Sequence, residues 1–323
     1  MASKKSVEIR DDVELTNLDE PLADRGGPSK RVLVDYLDAA SDRLIPALAE
    51  RPVSVIRVRP GQPSFMQKNL PTYTPAWVRS TTVWAEASKR EIRYALCEDR
   101  RTLLWLGNQR AVEFHVPLVR VGEQHQTHLV LDLDPPEGAG FDAVVAVAKL
   151  VRQALADAGL DGAVKTSGAK GLHIFVPLQP LPIEDAAAAT RALAARTAAL
   201  DPSIATTAYL LEEREGKVFV DATRAGGATV VAAWSPRLRP GLPVSYPLSW
   251  DELDGVHPSD FTCTTVASSA GPGGDPWVDL MPEPQRIPDD VLEQGRQIPI
   301  ARVVAMHEGK RRKRAREAAP DTP

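Results

Sequence analysis

Residues 128–134, HLVLDLD, set two carboxylates one residue apart in an otherwise apolar run, and the turn PPEGAG follows at 135–140. Side chains alternate along a β-strand, so Asp132 and Asp134 share one face while Leu131 and Leu133 take the other. The leucine face can enter a core. The opposite face carries two like charges, stable as anions only beside a cation or with one of them protonated. The chain must therefore build a sheet with an apolar side and a charged side, and the Pro-Pro turn puts the acids at a sheet edge within reach of a substrate. On its own, D-x-D before a turn is common and more often only solvates a strand end.

The neighbouring segments read as α+β. Apolar positions from Val32 to Glu50 keep helical spacing, 52–58 alternate as a strand, RPGQPS is a turn, and 65–82 is a Pro-rich loop. Short strands at 82–86 and 91–97, a helix near 100–110 and a strand through Glu113–Val116 come next. After the central strand, Phe141–Ala158 forms a helix with Val144, Val147, Val151 and Leu155 on one face and Gly159 as its stop. Strands at Ala163–Thr166 and Leu172–Leu178 flank a tight loop. A helix at 184–199, strands at 217–221 and 229–233 and a short helix near 287–296 complete the order. The close pair around 167–171 is a hairpin, which excludes a doubly wound sheet and predicts a mixed or antiparallel one.

Two further segments carry chemistry. In 165–173, KTSGAKGLH, two glycines in a tight turn free backbone N–H groups to face an anion, and Ser167, Lys170 and His173 add donors. The spacing is not that of a Walker A loop. A glycine hairpin with ordinary surface cations has the same composition. In 214–221 the apolar run Val218–Val220 ends in Asp221, and Arg224, Arg237 and Arg239 follow. An acidic pair, an anion loop, a third acid and a run of arginines are the parts that two-metal phosphoryl transfer requires.

Cys97 and Cys263 form no C-x-x-C pair or Cys/His cluster, so a zinc site or disulfide framework is not expected, and the reading is a cytoplasmic protein. No apolar run reaches membrane-spanning length. The net charge is −4, but residues 310–316, KRRKRAR, hold six cations; without them the remainder carries −4 − 6 = −10.

HLVLDLDPP, KTSGAKGLHIFVPL and the long segment from Gly216 to Leu253 together resemble the polymerase domain of bacterial ligase D, of the archaeo-eukaryotic primase superfamily. VELTN, PSFMQKN and EFHVP extend the likeness over roughly residues 13–300. The resemblance implies a primase-polymerase fold with an RRM-like core, acting in non-homologous end joining. The missing K-x-D-G adenylation motif makes it similar to stand-alone actinobacterial relatives. Residues 1–12 are then expected to be a flexible lead and 301–323 a basic, disordered tail.

By the same resemblance, Asp132, Asp134 and Asp221 hold two manganese or magnesium ions. Ser167, Lys170 and His173, with His115 and Arg237, bind the nucleotide. DNA falls to Asn17, Lys30, Phe65, Met66, Lys68, Arg214 and Arg224. The family's 5′-phosphate site has a lysine where Glu20 stands, and a carboxylate repels a phosphate. Met66 replaces one of two stacking aromatics, although a thioether still packs against a base. The implied activity is addition of NTPs, in preference to dNTPs, to primer 3′ ends on gapped or broken DNA, with end-joining proteins as partners. A non-catalytic DNA-end bridging factor with the same fold is the alternative. The intact acids and loop residues argue against it, since a decayed copy loses its ligands first. His125, His128, His257 and His307 carry no motif and read as structural or surface residues.

The basic segment reads as a DNA tether, a partner contact or a solvated end. Removing residues 310–323 distinguishes them. For a tether, the slope of log affinity for DNA against log salt becomes shallower by up to about 5, from six cations at about 0.9 each. An unchanged slope in a salt titration excludes the tether.

Overall fold

The computed structural model describes residues 7–23, 27–86, 89–269 and 275–300. In chain order the elements are β1 (Glu8–Arg10), β2 (Val13–Leu15), α1 (Lys30–Ala39), α2 (Ser41–Leu48), β3 (Ser54–Arg59), β4 (Gln62–Gln67), β5 (Ser80–Ala85) and β6 (Arg90–Ala95). Next come α3 (Arg100–Asn108), β7 (Ala111–Pro117), β8 (His125–Asp134), α4 (Phe141–Asp157), β9 (Ala163–Thr166), β10 (Leu172–Pro182) and α5 (Ile183–Leu200). The last part holds β11 (Ala205–Thr206), β12 (Val218–Asp221), β13 (Thr229–Val231), β14 (Pro247–Leu248), α6 (Cys263–Ser269), α7 (Pro276–Leu280) and α8 (Asp289–Gln297).

Two sheets organise these elements. The larger has the order β11-β12-β8-β10-β9-β14 and is antiparallel except for the β11–β12 pair. Its apolar face, which includes Leu131, Leu133, Leu172, Ile174 and Val220, packs under Val144, Val147 and Val151 of α4 and Ala189 and Leu193 of α5. The smaller has the order β13-β7-β3-β4. Val55, Val112 and Phe114 from it join Leu33, Leu37, Leu44, Leu103 and Leu104 of α1–α3 in a second core. This is the mixed α+β architecture that the hairpin reading predicts.

Several boundaries differ from the periodicity. The helix expected over 32–50 is two helices that turn at Ala40, and Leu33, Leu37, Leu44 and Leu48 all still face one core. Gln62–Gln67, expected as turn and loop, is an edge strand on β3. Met66 is 43% exposed and Pro63 needs no ladder donor there, so neither face shows the alternation that marks a half-buried strand. Within the expected flexible lead, Glu8–Arg10 pairs with Val13–Leu15, and Arg10 bonds Asp35 and Asp38 on α1. The basic segment 310–316 and His307 lie outside the described residues.

Trp234 lies in the second core and meets Tyr246, which packs against both cores. It is fully buried and holds a left-handed backbone, φ 66°, which is costly for a bulky residue unless its surroundings fix it. The Tyr36 hydroxyl donates to its carbonyl at 2.6 Å, its indole N–H donates to Asp275 at 3.0 Å, and Tyr246 packs edge-on against the ring. The turn that follows carries Arg237. Tyr36→Phe strips the carbonyl of a buried partner and is expected to cost about 1–3 kcal/mol. A denaturant melt with an unchanged midpoint would contradict this anchoring.

Candidate active site

Strand register brings the sequence-predicted residues together. Asp221 on β12 lies opposite Asp132 on β8, Asp132 opposite His173 on β10, and His173 opposite Lys165 on β9. Residues paired across neighbouring strands project to the same face. One row therefore runs Asp221–Asp132–His173–Lys165, with Asp134 two residues along β8 on the same side. The leucine and valine rows between them hold this face rigid from behind.

The charges in the row are only partly balanced. Arg224, on the turn after β12, grips one oxygen of Asp132 through Nε and Nη2 at 2.9 Å and lies 3.8 Å from Asp221. His173 Nε2 lies 3.2 Å from the other Asp132 oxygen. Burial alone would raise the Asp132 pKa, but the His173 ring and the Arg224 guanidinium hold it well below the usual carboxylate range. Asp134 has no such grip: burial, then Asp132 and Asp221, push it up to about 7. Burial also raises Asp221, although the Thr223 N–H donates to it at 2.7 Å.

The three aspartates can each offer an oxygen within 4.8 Å of the others. Hard oxygen donors in this number suit magnesium or manganese and not a thiolate-seeking metal. The raised pKa of Asp134 marks negative charge that the protein leaves unmatched. The residues present fit a divalent cation.

The loop between β9 and β10 closes the next side of a cleft of about 570 Å³. Ser167 Oγ accepts from the N–H groups of Ala169 and Gly171, at 3.3 and 3.1 Å, which curls the loop. A Cβ on Gly171 would collide with the Leu133 carbonyl, so the loop lies on β8 only because that residue is glycine, while Gly168 has φ 67° and lies against Arg237 and the Val244–Ser245 backbone. Lys170 is exposed at the rim.

The smaller sheet supplies the facing wall. Glu113 and His115 project from β7, with Glu113 Oε2 2.9 Å from His115 Nε2 and 3.1 Å from Arg237 Nε, while Oε1 accepts from the Leu238 N–H at 2.9 Å. Arg237 also donates to the Ser167 carbonyl. Burial pushes the Glu113 carboxyl up, but these partners outweigh it and bring it down to about 2. Glu113 thus orients two predicted nucleotide ligands, a role the sequence reading missed although it stands in the same EFHVP segment. Arg239 and His257 also line the cleft.

The predicted DNA residues are scattered. Arg224 is drawn into the aspartate cluster. Arg214 stacks on Phe219 at 3.9 Å, in a second cavity of about 830 Å³ that reaches Asp134 and Asp221 from the β12 side. Phe65 lies under Arg59 at 5.0 Å, and Met66 and Lys68 are exposed, all at the edge of the smaller sheet remote from the cleft. Asn17 has φ 56° and a buried side-chain amide oxygen without a partner. Lys30, expected on DNA, is 2% exposed, and its ammonium donates to the Thr16 carbonyl and to Asn108, both at 2.6 Å.

Comparison with known proteins gives a consistent set. The family model for the LigD primase-polymerase domain matches residues 29–277. The bifunctional non-homologous end joining protein LigD of Bacillus subtilis is 33% identical over 291 residues, covering 88% of this chain and 47% of that protein. The multifunctional non-homologous end joining DNA repair protein LigD of Mycobacterium tuberculosis is 34% identical over 255 residues, 75% of this chain and 33% of that protein. The chain thus spans a third to about half of these relatives. The solved polymerase domain of Mycobacterium tuberculosis ligase D in complex with DNA superposes with a TM-score of 0.75 at 32% identity, covering 83% of this chain and 97% of that one.

Glu113→Gln removes a group whose folded pKa lies below its ordinary value of 4.5. Stability from the ionised carboxylate is present above that value and lost as pH falls toward 2. The variant is expected to melt below wild type at pH 7, with the gap closing as pH drops from about 5 to 3. A gap independent of pH in thermal melts would contradict the ion cluster.

Proposed function

The chain belongs to the LigD primase-polymerase domain family, and from this we propose that it is a nucleotidyltransferase that extends primer 3′ ends from nucleoside triphosphates during DNA end-joining repair in the cytoplasm. One observation carries the reading: Asp132, Asp134 and His173 line one cleft with Ser167, Lys170 and Arg237, and Asp221 stands beside Asp132 in the same register row. Three acids beside a cationic, glycine-turned loop suit a triphosphate that approaches acids through metal ions.

Asp132, Asp134 and Asp221 would hold two ions, manganese or magnesium. When bound, they supply charge neutralisation to the triphosphate and the attacking hydroxyl. The chain's own residues do the rest. Ser167, Lys170, His173 and Arg237 bind the triphosphate, adding positive charge where the transition state is most negative. His115, held by Glu113, borders the nucleotide from the opposite wall. In-line displacement needs the 3′-hydroxyl and the leaving pyrophosphate on opposite sides of the α-phosphate. With the triphosphate in the first cleft, the primer end enters from the second cavity, where Arg214, Arg191 and Arg224 border Asp134 and Asp221. NTPs are the preferred substrates over dNTPs, and gapped or broken DNA is the template. Residues 13–300 act as one polymerase unit.

Asp132→Ala is expected to reduce manganese-dependent primer extension by at least about a hundredfold, with the circular-dichroism spectrum preserved. Extension at the wild-type rate would refute the assignment. An inactive wild type that still bridges DNA ends would favour the structural role.

A further inference from the structure

The second cavity is lined in part by the last described residues, Ile298, Pro299 and Ile300, which follow α8 directly. They lie beyond residues 29–277, the segment that the LigD primase-polymerase model matches. Their place is set from α5. Gly295 lies so close to Ala188 that a Cβ there would collide with the Ala188 carbonyl, and Arg191 Nη2 donates to the Gly295 carbonyl at 3.1 Å. Arg196 Nε donates to Gln294 at 2.7 Å, and Arg296 pairs with Asp185 at 2.8 Å.

The lining has two kinds of surface. Ala194 and Ala195 of α5 and the Ile298–Ile300 segment are apolar, and Ile300 is 54% exposed. Arg191, Arg214 and Arg224 are cationic, but Arg224 is committed to Asp132. Arg191 and Arg214 are oriented by main-chain carbonyls, that of Gly295 for one and those of Ala208 and Tyr209 for the other. A carbonyl orients a guanidinium without cancelling its charge, and it leaves further N–H donors for a ligand. An apolar wall beside such cations, next to Asp134 and Asp221, matches a nucleotide unit of a strand: base or sugar on the wall, phosphate on the guanidiniums. The volume of about 830 Å³ is in the range of pockets that enclose ligands of this size.

We propose that the second cavity grips the primer strand near its 3′ end through two contacts: Arg191, with Arg214, binds a backbone phosphate, and Ile298–Ile300 pack against a neighbouring nucleoside. Arg191 then has two roles, since one guanidinium both fixes the end of α8 and meets the strand. The C-terminal segment becomes part of the substrate site and not only a brace on α5. This rests on the polymerase reading, which puts the incoming triphosphate in the first cleft and the strand in the second.

Fluorescence anisotropy of a labelled primer–template duplex with a recessed 3′ end, bound to the full chain with magnesium and no nucleotide, tests the grip. Methylphosphonate at the last two primer linkages removes their charge and is expected to weaken wild-type binding about tenfold. Arg191→Met is expected to weaken binding of the unmodified duplex by a similar factor and to lose most of its sensitivity to the modification, and Arg191→Lys to recover part of both. Ile300→Asp, at an exposed position, is expected to raise the primer–template KM in manganese-dependent extension and to leave the NTP KM unchanged. A wild type indifferent to methylphosphonate overturns the proposal even if Arg191→Met does not fold. So does an Arg191→Met variant that keeps the full penalty, or an Ile300→Asp variant with the wild-type primer–template KM. A wild type that shows the penalty but extends no primer leaves the strand site standing and removes the polymerase reading.

Discussion

The structure turns on negative charge that it gathers and does not fully neutralise. Asp132, Asp134 and Asp221 meet at the end of two paired strands, and only Asp132 has a full set of donors. Like charges this close destabilise a fold unless something holds them in place. Here the restraint comes from behind: Leu131, Leu133 and Val220 alternate with the acids along the same strands and are fully or almost fully buried. The hydrophobic stabilisation of that face fixes the charged one. Burial and the resulting repulsion push the Asp134 carboxyl up to about 7, and a divalent cation there would relieve it.

Around this centre the two sheets divide the work. The larger sheet places groups by register, so the Asp221–His173 row needs no loop to aim it. The smaller sheet and the Trp234 turn place Glu113, His115 and Arg237, and there accuracy depends on side-chain bonds over long sequence separations. Arg237 is held by Glu113 and by the Ser167 carbonyl, so the facing wall is tied directly to the anion loop. Glu113 is buried beside His115 and orients both it and Arg237.

The local chemistry was legible in the sequence because it is written in short segments. Strand alternation set Asp132 and Asp134 on one face, and the hairpin reading paired Ala163–Thr166 with the strand that carries His173. Pairing order was not legible. Nothing in the residues alone says that β12 lies beside β8, since Val218–Val220 would suit any buried strand. The burial of Lys165 was not legible, because it depends on Ser245, 80 residues away, and on a strand partner. Arg224 was expected on DNA because nothing local shows the turn Thr223–Gly226 folding it back onto Asp132.

The N-terminal corner follows the opposite logic to the cleft. Glu20 pairs with Arg110 at 3.2 Å, and Arg110 also donates to the Pro21 and Leu22 carbonyls. Lys30 donates to Thr16 and Asn108, and its pKa falls to about 8 through burial and the nearby Arg110 charge. A lysine at position 20 would add a third cation to this group, and the corner would then attract an anion. With Glu20 the cations are satisfied internally and the ammonium is covered. In the cleft, by contrast, Lys170 and Arg239 remain exposed at the rim. Exposed cations within reach of a phosphate therefore stand at the rim of the cleft, whereas at this corner they are engaged by the protein's own groups.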